Sequence, residues 1–169
     1  MSLSRTLTRR SLLALAMAGP AASLGACGFA LRRPARLSFS SVALTGFAPR
    51  SPLAEALRRQ LQQQVRVLAD PGQADVVLQA LDDTREKSVV ASTSAAQVRE
   101  FQLRLKFHFR AVTASGRELI PRVELLLTRD LSYTEVQALA KENEEAELFR
   151  EMQGDVVAQV LRRLAAIVL

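Results

Sequence analysis

One cysteine, one histidine and one tyrosine stand in 169 residues, and tryptophan is absent. So few thiols and imidazoles cannot build a histidine- or cysteine-rich metal cluster. A Ser/His/Asp set could be assembled only around His108. The seven glycines form no phosphate-cradling loop. Carboxylates cluster at Asp82-Asp83-Glu86, which reads as a loop, and at Glu142-Glu144-Glu145-Glu147, which reads as a helix start. Neither makes a good acid/base pair. The sequence therefore predicts a protein that is no enzyme and carries no cofactor or metal. The shortage of aromatic rings removes the stacking platform that a single-strand nucleic-acid binder needs. No segment reaches transmembrane length, and no repeat or low-complexity tail is evident.

What is present begins with a leader. Arg5, Arg9 and Arg10 give a basic start, Ser11 to Ala18 an apolar stretch, and Gly19-Pro20 a break, with small residues up to Cys27. This is the layout of a secretory signal, too short in its apolar part to cross a bilayer. Leu24-Gly25-Ala26-Cys27 resembles a bacterial lipobox, which implies lipidation of Cys27 and cleavage before it. A lone exported cysteine has no intramolecular disulfide partner, which agrees with that use. Thr8-Arg9-Arg10-Ser11-Leu12-Leu13 also carries a twin-arginine pair, and the sequence leaves the export route open. Gly28 follows the cysteine; the absence of aspartate there fits sorting of a Gram-negative lipoprotein to the outer membrane.

Removing residues 1–26 leaves 143 residues, one ordinary domain, and lowers the formal charge from +6 to +3. Part of the basic character is thus an export signal, and the membrane attachment expected is lipid. Residues 27–35 read as an acylated tether and 36–169 as a single domain. Leu37, Phe39, Val42 and Leu44 mark a first strand whose phase slips at Ser40-Ser41, predicting a bulge or an early strand end. Ser51-Pro52 opens a predicted helix over 52–64, with Leu53, Leu57 and Leu61 on one stripe. A short strand, Val65 to Leu68, ends at Asp70-Pro71-Gly72, and strand–helix–strand spacing predicts a crossover.

Val76 to Leu81 begins another strand, followed by a polar connection through Asp82 to Lys87. Phe101, Leu103, Leu105, Phe107, Phe109 and Ala111 then alternate with polar residues, and Leu119, Val123, Leu125, Leu127 and Leu131 continue the alternation after Ala114-Ser115-Gly116. Two strands of a long one-sided hairpin follow, with Pro121 near a strand start or on an edge. Asn143 is the predicted cap of a final helix, its first turns loaded with glutamate and its stripe running from Leu148 to Val168. The expected fold is α/β (α+β): a two-layer sandwich, a mixed β-sheet of about four strands with two amphipathic helices on one face. Arg104, Lys106 and Arg110 project from the polar side of one strand, roughly 7 and 13 Å apart along it. His108, in phase with them, is expected as a solvated sheet residue. Such a row could meet phosphate groups or simply keep a face soluble.

The order of several short motifs resembles one family. Cys27-Gly28-Phe29-Ala30-Leu31-Arg32 is similar to the mature start of the lipopolysaccharide-assembly lipoprotein LptE, although Arg33 stands where that family often has glycine. Ser51-Pro52-Leu53 with Leu57-Arg58 and Gln60-Leu61 resembles its first helix, Glu100-Phe101-Gln102-Leu103 its central strand, and Gly116-Arg117-Glu118-Leu119-Ile120-Pro121 its return strand. Ala138 to Glu144, Glu151-Met152 and Leu161-Arg162-Arg163-Leu164 resemble its last helix. The resemblance implies an outer-membrane lipoprotein on the periplasmic face. It would plug the lumen of the β-barrel LptD, support its assembly, and bind lipopolysaccharide during insertion into the outer leaflet. Lys141 aligns with one basic position linked to lipopolysaccharide; the other falls near Ser94, a departure from a two-point basic site. Ser88 to Gln97 and the loops around 84–98 and 132–142 are expected contacts with the barrel. The alternative is a phospholipid-binding lipoprotein of a lipid-shuttling transporter, with no barrel partner.

Overall fold

The computed structural model describes residues 36–92, 98–133 and 138–169. Contacts divide the chain into Met1–Pro34 and Ala35–Leu169, and the second unit is the one described. Cys27, the 27–35 segment and Ser94 lie outside the described residues.

Five strands form one mixed sheet: β1 (Ser41–Thr45), β2 (Arg66–Leu68), β3 (Val76–Ser92), β4 (Val98–Val112) and β5 (Glu118–Ser132). Two helices, α1 (Pro52–Leu61) and α2 (Ala138–Ala165), complete the α+β sandwich. The spatial order is β2-β1-β3-β4-β5, with β1 parallel to β2 and β3, and antiparallel ladders from β3 through β5. The fold class is as the sequence predicts, with five strands in place of about four.

The Ser40-Ser41 phase slip marks the start of β1 and not a bulge within it. The Asp75 carboxylate accepts from Ser40 N at 3.0 Å, Ser40 Oγ at 2.8 Å and Ser41 N at 2.9 Å, while Ser41 Oγ accepts from Asp75 N at 3.0 Å. This clamp ties the start of β1 to the start of β3. After β1 the chain turns at Gly46, whose φ of 78° favours glycine. A Cβ there would stand 2.2 Å from the Ala80 carbonyl oxygen.

Helix α1 begins as its sequence dictates: Ser51 Oγ accepts from Ala54 N at 3.1 Å and Pro52 occupies the first helical position. Leu53, Leu57 and Leu61 are fully buried. The helix stops at Leu61, three residues short of the predicted end, because Gln62, Gln63 and Gln64 have no apolar surface to add and face solvent. The core lies between the helices and one face of the sheet, where Phe47 stacks on Phe107 at 5.7 Å and Phe107 on Phe109 at 5.3 Å.

The largest departure from expectation is β3. Asp82 to Lys87 is no connection but the middle of a 17-residue strand that reaches Ser92. Its polar residues have partners on both sides of the sheet. Asp82, Thr84 and Glu86 lie opposite His108, Lys106 and Arg104 of β4. On the helix side, Arg85 Nη2 donates to Gln153 Oε1 at 2.6 Å and lies 5.5 Å from the Phe149 ring centre. Lys87 bonds Glu145 at 2.5 Å and sits 4.2 Å from the Phe101 ring centre. Beyond the end of β1, β3 keeps a partner only in β4, so the sheet extends as a three-stranded ribbon. Pro121 lies on the outer strand β5, next to the register shift opposite Phe109 and Ala111, where its missing donor costs no ladder bond.

Among the described residues α2 is already helical at Ala138, so Asn143 is inside it and does not cap it. Ala138-Leu139-Ala140-Lys141-Glu142 are good helix formers that carry the helix back past the predicted cap. Only from Met152 onward does α2 contribute buried residues. No helix among the described residues is long and apolar enough to cross a membrane.

Candidate functional site

The face of the sheet turned away from the helices is a continuous polar surface on β3, β4 and β5. Alternation along each strand brings the apolar side chains under the helices and leaves Gln79, Asp82, Thr84 and Glu86 beside Arg104, Lys106, His108 and Arg110. Glu124, Leu126, Thr128 and Asp130 follow on the other side. At the base of this face a small apolar cluster of Ala43, Ala74, Val77 and Val112 is buried.

Arg104, Lys106 and Arg110 do share this face, but they are not equivalent. Lys106 Nζ lies 2.8 Å from Asp82 Oδ2. That hydrogen bond, aided by Thr84, holds the Asp82 carboxyl below its ordinary value, and the same bond raises the Lys106 ammonium above its own. Lys106 therefore stays protonated, with its charge compensated by Asp82. Arg104 Nε donates to Gln102 Oε1 at 2.8 Å and Arg110 Nε to Gln79 Oε1 at 2.7 Å. Neither guanidinium has a carboxylate partner among the described residues, so these two are the uncompensated cations of the row.

His108 is not the solvated residue that its phase predicts. It is 8% exposed, because long neighbours close over it. Arg122 Nη2 lies 3.1 Å from Nδ1, Asp82 Oδ2 lies 3.9 Å from Nδ1, and Glu124 Oε2 lies 3.2 Å from Nε2. The Glu124 contact is close but poorly aligned, leaving Nε2 without a proper hydrogen bond. This histidine is a packed member of a charge network with no nucleophile in place beside it. Among the described residues no group of three or more His, Cys, Asp or Glu is placed to hold a metal ion.

Lys141 stands apart from the row. Its side chain, 14% exposed, donates to Glu144 Oε2 at 2.7 Å and to Ser132 Oγ at 3.2 Å. Ser132 pairs with Glu100, four residues along β4 from Arg104, or about 13 Å. The structure thus places Lys141 at the far end of the ribbon and does not gather it with Arg104, Lys106 and Arg110 into one pocket. Sequence reasoning missed Asp82, Arg122 and Glu124 as members of the face. Their signal was parity: each falls in phase with the polar side of its strand once β3 is read as continuous.

The family model for lipopolysaccharide assembly, LptE, matches residues 39–164. The chain belongs to the LptE family. That membership gives it a part in lipopolysaccharide assembly. The solution NMR structure of the uncharacterized lipoprotein B from Nitrosomonas europaea is similar, with TM-score 0.71 and 32% identity over 82% of this chain and 91% of that one. Rare lipoprotein B from Shewanella oneidensis shares the fold with TM-score 0.62 at 22% identity, over 75% of this chain and 95% of that one. A minor lipoprotein from Acinetobacter baumannii does so with TM-score 0.62 at 22% identity, over 77% and 93%. No curated protein is similar to the chain in sequence. For this LptE-family domain, the open polar face is the surface with the least explanation in its own packing.

Proposed function

We propose that the chain is a non-enzymatic outer-membrane lipoprotein, acylated at Cys27 after removal of residues 1–26, that occupies and supports an LptD-type β-barrel on its periplasmic side. There it binds lipopolysaccharide as the lipid is inserted into the outer leaflet. The observation that carries this reading is the open face of β3–β5. A barrel lumen is lined by polar residues, and this face offers three long strands of polar side chains, several of them paired with one another. Such a surface can meet a polar wall, with Arg104 and Arg110 the two charges left to find partners there or on lipopolysaccharide. For lipopolysaccharide phosphates, the groups proposed are Arg104 and Arg110, which lack carboxylate partners, with Lys106 and Lys141 as secondary cations released from Asp82 and Glu144.

Co-purification tests this reading. The tagged chain, extracted in detergent from membranes that contain the barrel, should elute with a large barrel protein. Recovery as a stable free monomer from those membranes would contradict it. Lipopolysaccharide binding should exceed plain phospholipid binding and weaken severalfold in Arg104→Ala or Lys141→Ala, and further with salt. Equal binding of phospholipid would favour a lipid-shuttling role without a barrel.

A further inference from the structure

The two helices run in the same direction and end at the same end of the domain. Gln153 Nε2 of α2 donates to the Pro52 carbonyl at the start of α1 at 2.7 Å, and from that point both helices proceed side by side. Ser38 Oγ donates to the Ile167 carbonyl at 2.6 Å, and Arg66 N to the Ser40 carbonyl at 3.0 Å. Four features therefore meet at one end: the last turns of α1 and α2, the start of β2, and the point where the chain from residues 1–35 joins the domain.

That end is basic. Arg36, Arg59, Arg66, Arg162 and Arg163 are all exposed there, and none has a carboxylate partner among the described residues. The nearby Asp75 and Asp70 are occupied by Ser40 and Ser41, and by Gly72 and Gln73. Basic residues in a last helical turn suit the helix dipole, which accounts for Arg59, Arg162 and Arg163. Arg36 and Arg66 sit on no helix and remain unexplained by it. Of the 23 lysines and arginines only Lys87, Lys106 and Lys141 are lysines, and none belongs to this end. Guanidinium is the cation whose fork fits phosphate. Beside the arginines Val168 is 87% exposed and Leu169 is 52% exposed. At the opposite end cations and carboxylates are paired with one another: Lys141 with Glu144, Lys87 with Glu145 and Arg150 with Glu147.

We infer that this arginine-rich end is a docking surface for the anionic phosphate headgroups of a lipid bilayer, with Val168 and Leu169 reaching the interface. The occupant follows from connectivity and charge together. The segment that joins here carries Arg32, Arg33 and the proposed lipid site Cys27, so a bilayer holding that anchor lies within a short tether of this surface. Unlike Lys87, Lys141 and Arg150, which glutamates hold, these arginines are available to anionic headgroups. The inference rests on the proposed membrane anchoring but not on a barrel partner.

The test uses the chain from residue 28 onward, which lacks the lipid site yet keeps every core residue, since the core runs from Phe39 to Ile167. The probes are vesicles of phosphatidylglycerol with phosphatidylethanolamine, and of phosphatidylcholine alone. Sedimentation at low salt should show binding to the first, little to the second, and release at about 0.5 M salt. Each arginine removed from this end should weaken binding about fivefold, so Arg162→Gln with Arg163→Gln should lose at least tenfold. Arg129→Gln with Arg150→Gln, two arginines held by Asp155 and Glu147 away from this end, should bind as the parent does. Because the chain has no tryptophan, Val168→Trp gives a fluorescence reporter that should shift blue on anionic vesicles, whereas Leu126→Trp should not. Absence of binding to anionic vesicles, equal loss in the two arginine pairs, or a shift only at Leu126→Trp would overturn the inference. Co-purification with a barrel is read separately, so failure here leaves that result standing.

Discussion

Asp75 and Asp82 each tie neighbouring strands together through a single carboxylate. Asp75 gathers two backbone donors and a hydroxyl, and these bonds, the Ser40 hydroxyl foremost, hold its carboxyl below the ordinary value of 3.8. Asp82 is held low by Lys106 and then Thr84. Because both are lowered on folding, their contributions are complete above the ordinary carboxylate value and are lost as pH falls through the folded ones. The urea midpoint should therefore decline as pH drops below about 4, the ordinary carboxylate range. Asp75→Asn should flatten part of that decline. At neutral pH Asp75→Asn should cost about 1–2 kcal/mol, since an amide cannot accept all three bonds equally; chemical denaturation measures it. His108 is the residue most misread from sequence. Its phase was right, but its burial depends on Arg122 and Glu124, which lie on another strand and cannot be seen from β4 alone.

At the scale of elements, local signals succeeded where one segment decides its own structure. Ser51-Pro52 begins α1, and the alternation from Phe101 to Ala111 builds β4, because capping and period-two burial need no distant partner. They failed at β3, where Asp82 to Lys87 is charged on both faces and reads as a loop. Its stability comes from β4 on one side and α2 on the other, across long sequence separations. They failed again at the start of α2, where a plausible cap at Asn143 lost to five good helix formers before it. Two substitutions test these contacts. Gly46→Ala should lower stability by more than about 2 kcal/mol, combining an unfavourable φ with a clash against the Ala80 carbonyl. Gln153→Ala should cost about 1–3 kcal/mol, because it strips partners from both Arg85 and the Pro52 carbonyl. Thermal unfolding of each variant reads the effect, and a loss confined to tenths of a kcal/mol would show that the polar contacts of α2 are incidental.

For the whole molecule, the helical layer buries one side of the sheet and leaves the other polar, long and only partly paired within itself. The proposed account makes that open face the contact with a barrel wall and the arginine-rich end the contact with lipid headgroups, two surfaces with separable chemistry. The family and the sandwich were legible in the sequence because motif order and periodicity run through the whole domain. The layout of the face was not, since it depends on register between three strands. The most direct measurement is site-specific photo-crosslinking from Leu126, which is 56% exposed in the middle of that face. With the probe there and the chain in its native membrane, the account predicts a covalent adduct to a large outer-membrane barrel. A chain that is folded and membrane-bound in the presence of the barrel, yet gives no such adduct, would contradict it.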